Sequence, residues 1–187
     1  SAYDLEVGVS GEHAAEVVKE GSVALQAKSL YEIVKNLPEN VVSLKKTANN
    51  RVEISSGTAE FKIVGQPADE FPALPKVDKL PFVEVEVGAL LEMIEKTQFA
   101  ISTETRYNLN GVFFDPRDGG TRMVATDGHR LALIEKPLAG KFGLKRGVII
   151  PRKGLMELKR LLAEETATPG ELGFGENSGV FRRQGLV

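Results

Sequence analysis

Asp127, His129 and Arg130 bring a carboxylate, an imidazole and a guanidinium into one short stretch, a mixture that acid–base chemistry can use. Such a group becomes catalytic when a nucleophile or a second carboxylate stands beside it, and no serine or cysteine nucleophile motif accompanies this run. The chain has 2 histidines and 0 cysteines, which excludes disulfides, thiolate metal sites and cysteine nucleophiles. The other histidine, His13, sits in a polar stretch, and no spacing supplies a set of metal ligands. Asp127-Gly128 is by itself the signature of a tight turn between two strands. The glycines of 173–179 invite comparison with a phosphate-binding loop, but the lysine and the following helix are missing, so a hairpin turn is expected. A small hydrolase centred on Asp127, His129 and Arg130 therefore stands as an alternative without further support in the chain.

Charge points elsewhere. The formal net charge is -2 with a pI near 5.8, which argues against a dedicated nucleic-acid binder when read as an average. Its distribution is uneven. In the helix expected after Pro151, Leu155, Leu158 and Leu162 share one face. Arg152, Lys153, Lys159 and Arg160 cluster on the opposite side, with Glu157 the one carboxylate expected nearby. Lys28 and Lys35 add to this on an earlier helix, and Lys96 beside Glu92 and Glu95 does so weakly. Alone, such a face is a solvated exterior as readily as a surface for phosphates.

These residues need elements to hold them, and the elements recur. A helix over 28–37 carries Leu30, Ile33, Val34 and Leu37 at helical spacing and stops at Pro38. It is preceded by a strand over 22–26 and followed by strands over 41–46, 51–55 and 59–64, with Asn49-Asn50 and Ser56-Gly57 as turns. The order returns as a strand over 82–87, a helix over 88–99, and strands over 111–115, 122–126 and 130–136. It starts again with a strand over 147–151, a helix over 153–163, and strands over 171–175 and 180–183. Such a unit has one apolar sheet face and one apolar helix stripe, so two units packed helix to helix make a domain. The second and third copies are expected to form a domain over 81–187, with its last strand truncated. Residues 1–66 read as the second half of a preceding domain, with 3–9 a leftover strand, and 67–80 as a proline-rich connector that Phe71 and Leu74 pin down. The chain starts on Ser1 and stops at Val187 inside a strand pattern, so it reads as a piece cut at both ends. With 42% hydrophobic and 27% charged residues it can build a real core. It has no apolar run of membrane-spanning length, no secretory signal is visible in it, and a reducing cytoplasm is the simplest home expected for it.

Four stretches, Thr97-Gln98-Phe99, Arg106-Tyr107-Asn108-Leu109-Asn110-Gly111, Val124-Ala125-Thr126-Asp127-Gly128-His129-Arg130-Leu131-Ala132 and Val148-Ile149-Ile150-Pro151-Arg152-Lys153-Gly154, resemble the middle domain of the bacterial beta sliding clamp family, the ring-forming beta subunit of DNA polymerase III. Ala68-Asp69-Glu70-Phe71-Pro72 is similar to that family's link between first and second domains. The resemblance runs in order along essentially the whole chain, although the loop before Arg106 is slightly short.

It implies an α+β clamp fold of repeated β-α-β-β-β units, with helices lining the inner face and sheets outside. It implies a processivity factor without catalysis or cofactor: a homodimeric ring in the full-length protein that encircles double-stranded DNA and slides. Lys28, Lys35, Arg152, Lys153, Lys159 and Arg160 would then face phosphates at a distance, without base contacts. Arg106, Tyr107 and Asn108 would touch DNA from a protruding loop. Leu109, Thr126, Gly128, His129, Arg130 and Leu131 would build half of a cleft for peptides of the polymerase III alpha subunit, the clamp loader and other clamp-binding-motif proteins. The other half belongs to a third domain absent here, so peptide binding by this chain is expected to be poor. Phe61 would anchor the edge strand at the subunit interface. The remaining alternative is a repeat-built interaction scaffold unrelated to DNA.

Overall fold

The computed structural model describes residues 1–74, 77, 79–104, 109–138, 140, 142–164 and 166–187. Two short strands open the chain, β1 (Ala2–Tyr3) and β2 (Gly8–Val9). The single strand expected over 3–9 is thus broken, because Leu5 adopts a left-handed backbone (φ 75°) that an extended chain cannot accommodate. The molecule divides into two compact units. One comprises Ala2–Leu5 and His13–Leu74; the other comprises Ser1, Glu6–Glu12 and Pro75–Val187.

In the smaller unit, α1 (Ala27–Val34) precedes an antiparallel sheet of β3 (Ser43–Lys46), β4 (Arg51–Ser56) and β5 (Ala59–Val64), with β4 central. Alternation along β4 buries Val52, Ile54 and Ser56. Asn49 and Asn50 both take the left-handed turn conformation (φ 57° and 53°), and Gly57 does so in the β4–β5 hairpin (φ 55°). Leu30, Ile33 and Leu37 are half-buried, whereas Val34 is exposed. The strand expected over 22–26 shrinks to a single bridge between Ala24 and Gln66. Pro67 follows Gln66 and has no N–H to continue the ladder.

In the larger unit the order is β6 (Phe82–Val85), α2 (Val87–Glu95), β7 (Gly111–Arg117), β8 (Gly120–Thr126), β9 (Leu131–Lys136), β10 (Val148–Pro151), α3 (Arg152–Glu164), β11 (Gly170–Phe174) and β12 (Gly179–Arg182). The helix expected to reach Phe99 stops at Glu95. The buried Thr97 hydroxyl donates to the Met93 carbonyl at 2.8 Å, and a tighter helical turn follows over Gln98–Ala100.

The two sheets do not follow the repeat. Their strand orders are β10-β7-β8-β9 and β12-β11-β6, so each copy's leading strand joins the other copy's sheet. β10 pairs with β7 (Ile150 opposite Val112), and β6 pairs with β11 (Val83 opposite Leu172). Between the sheets and helices lies one core, centred on Leu90, Met93, Ile94, Val112, Phe114, Met123, Leu155, Leu162, Leu172 and Phe181. Phe142, from the stretch joining the two copies, fills the seam between the sheets. Its ring stands edge-on to Phe114 at 5.3 Å and to Phe174 at 6.2 Å.

Candidate functional site

Helix α3 begins directly where β10 ends, and the Arg152 amide donates to the Asn110 carbonyl at 2.9 Å, tying the helix start to the loop before β7. Leu155 and Leu162 are fully buried, and Leu158 is half-buried beside them, so the orientation of α3 is fixed by its apolar stripe. Arg152, Lys153 and Arg160 are consequently exposed and Lys159 partly so. The helix packs on α2 and on β7 and β10.

The cations have more carboxylate company than the sequence suggested. Arg160 meets Glu157 at 3.1 Å as expected from one helical turn. Lys159, however, reaches across to Glu95 of α2 at 3.5 Å, and Lys153 pairs with Glu6 at 3.2 Å. These two partners correct the picture of Glu157 as the one nearby carboxylate. On α1, Lys28 is exposed, while Lys35 pairs with Glu32 at 3.3 Å and lies 5.4 Å from the centre of the Tyr31 ring. Arg106, Tyr107 and Asn108 lie outside the described residues.

The turn between β8 and β9 is built from its own side chains. The Asp127 carboxylate accepts from the backbone amides of His129 and Arg130, both at 3.0 Å, and from the Arg130 guanidinium at 2.9 Å. Those amides, and then the guanidinium, hold its pKa down to about 2. Thr126 donates its hydroxyl to the Arg130 carbonyl at 2.8 Å and accepts from the Gly128 amide at 3.2 Å. Gly128 takes φ 86°, a conformation that favours glycine. Asp127 is thus engaged with the backbone of His129, an arrangement that shapes a turn and not a proton-transfer pair.

The structure brings Leu109, Thr126, Gly128, His129, Arg130 and Leu131 into the same larger unit at the β7 and β8–β9 ends. Leu131 is 63% exposed, Leu109 is half-buried, and the Arg130 guanidinium stands 6.0 Å from the Phe99 ring. Phe99, itself 56% exposed, and Asp127 join this group although the family motif alone did not place them in it. An Asp three residues before an Arg at a turn was a readable signal for the second; nothing local announced the exposure of Phe99.

Phe61 lies on β5, an edge strand of the smaller unit's sheet, opposite Ile54 in register, and is 40% exposed. Glu53 and Lys62 pair on the other face at 2.9 Å. Among the described residues, no group of three or more His, Cys, Asp or Glu side chains is placed to hold a metal ion. No helix in the described residues is long and apolar enough to cross a membrane.

The family model for the DNA polymerase III beta subunit, central domain, matches residues 84–184, and that for its N-terminal domain matches residues 1–75. The beta sliding clamp of Caulobacter vibrioides is 41% identical over 170 residues, covering 87% of this chain and 45% of the relative. That of Vibrio cholerae is 35% identical over 164 residues, covering 87% and 44%. The chain thus spans about half the length of the curated relatives it matches. Among solved structures, the Bacillus subtilis DNA polymerase sliding clamp superimposes with a TM-score of 0.84 at 33% identity, covering 95% of this chain and 49% of that one. Caulobacter crescentus pol III beta gives 0.84 at 36% identity, covering 95% and 50%. Residue motifs and these matches agree, and the chain belongs to the DNA polymerase III beta subunit family, the beta sliding clamps.

Proposed function

We propose that this chain serves as part of a DNA processivity clamp, a non-catalytic ring that encircles duplex DNA and tethers a polymerase to it. The observation that carries this reading is α3. Its leucines are sunk in the core, so Arg152, Lys153, Lys159 and Arg160 are turned to the surface of a family whose relatives are sliding clamps. Cations that meet phosphates through water attract DNA by counterion release and read no sequence, which leaves the ring free to move. The net charge of -2 over the whole chain keeps the remaining surface from competing for DNA.

On this reading Lys28 and Lys35 act in the same sense on α1, and Arg106, Tyr107 and Asn108 supply a loop contact to DNA. Leu109, Thr126, Gly128, His129, Arg130 and Leu131 form part of a peptide-docking cleft for the polymerase alpha subunit, the clamp loader and other clamp-binding proteins. Leu109 and Leu131 give it apolar surface, and Arg130 offers a donor at the rim. Phe61 contributes to a homodimer contact along β5, and the protein works in the cytoplasm. Residues 1–66 and 81–187 belong to the first and middle domains of the ring, with 67–80 joining them.

The test replaces the matching stretch of the Caulobacter clamp by this chain and follows retention of the ring on circular DNA. Changing Arg152, Lys153, Lys159 and Arg160 together to alanine should cause salt-sensitive loss from DNA, each lost cation lowering the log–log salt slope by roughly 0.9. Retention and slope unchanged at low salt would leave the scaffold reading in its place.

A further inference from the structure

We infer that Glu95 and Glu157 act as internal substitutes for phosphate, each occupying a cation of α3 so that the helical face holds DNA loosely. The inference rests on the proposal that this face meets DNA. Lys159 Nζ lies 3.5 Å from Glu95 Oε1 on the neighbouring helix, and an Arg160 guanidinium nitrogen lies 3.1 Å from Glu157 Oε2 on the same helix. All four side chains are at least partly exposed, between 31% and 73%. Ion pairs so exposed do little for folding stability. The buried Leu155 and Leu162 already fix the helix, so the carboxylates are not needed to position it.

Their effect on a polyanion is another matter. A carboxylate oxygen offers a cation the same charge and hydrogen-bond acceptor as a phosphate oxygen. A lysine or arginine that already holds one has fewer counterions to release when DNA arrives. Engaging the DNA backbone therefore exchanges one anion for another, and a phosphate that moves away is replaced at once by the waiting glutamate. The free-energy difference between engaged and disengaged cations is small. So is the barrier between successive positions along the duplex, which is the property a sliding surface needs.

The experiment uses this chain with a fluorescently labelled short DNA duplex, titrated by anisotropy over a range of salt concentrations. Four proteins are compared: wild type, the helix variant Glu95→Gln with Glu157→Gln, a control, Glu135→Gln with Glu171→Gln, and a variant with Arg152, Lys153, Lys159 and Arg160 changed to alanine. The control makes the same change in net charge and frees Arg122 and Arg182, which pair with those glutamates on the two sheets at 2.8 Å and 2.7 Å. The helix variant should bind more tightly at low salt, with a log–log slope steeper by about 2, roughly one for each cation released from its partner. The control should keep the wild-type slope. A helix variant indistinguishable from either wild type or the control overturns the inference and leaves the DNA reading intact. A wild-type chain with no salt-dependent binding, unaffected by removing the α3 cations, overturns both.

Discussion

The Asp127 carboxylate faces two consecutive backbone amides and a guanidinium, and every one of these donors favours its ionised form. Its pKa is held at about 2 in the folded chain against an ordinary 3.8. The turn it builds is therefore favoured in full above the ordinary carboxylate range, and that contribution is lost as pH falls from 3.8 toward about 2. Following the His129 and Arg130 amide resonances through an acid titration should show a transition near pH 2, absent in Asp127→Asn. Leu131 tests the proposed peptide cleft. In the clamp chimaera, Leu131→Ala should weaken binding of a clamp-binding peptide by ~1–3 kcal/mol, the range for an apolar anchor, as measured by calorimetry. Unchanged peptide affinity would remove Leu131 from the cleft. The turn at Asp127-Gly128 was legible in the sequence, because its residue types are those a tight turn demands. The Lys159–Glu95 pair was not, since its partners are brought together by packing between helices far apart in the chain.

At the scale of the element, hydropathy period located α1, α2 and α3 and most of the strands, and it located β5 to the residue. It failed where an element depends on something distant. The strand expected over 22–26 has a single bridged partner, and no local pattern states how much partner an extended segment will find. The end of α2 was overrun because Phe99 continues the apolar spacing, while the Thr97 hydroxyl binds back to Met93 and closes the helix. α3 gives the sharpest stability test. Leu162 is fully buried on the face opposite the cations, so Leu162→Ala should cost ~2–5 kcal/mol in denaturant unfolding. An alanine substituted for the exposed Arg160 should change the same measurement by less than about 0.5 kcal/mol.

For the molecule as a whole, repetition along the chain predicts two copies packed helix to helix, each beneath its own sheet, yet the larger unit is assembled by exchange. β6 leaves its own copy to complete the sheet of the next, and β10 makes the reverse journey. Phe142 then seals the seam from the connecting stretch. The spacing of a repeat records that two copies exist but carries nothing about which sheet a leading strand will enter. Because each half lends the other a strand, the halves are clasped and do not merely lie side by side. Backbone cleavage at an engineered protease site between Pro137 and Gly147 should therefore leave both pieces migrating together in gel filtration until denaturant is added. Either half expressed alone should be unfolded by circular dichroism. Removing either copy would strip an edge strand from the sheet of the other, so the two copies stand or fall together.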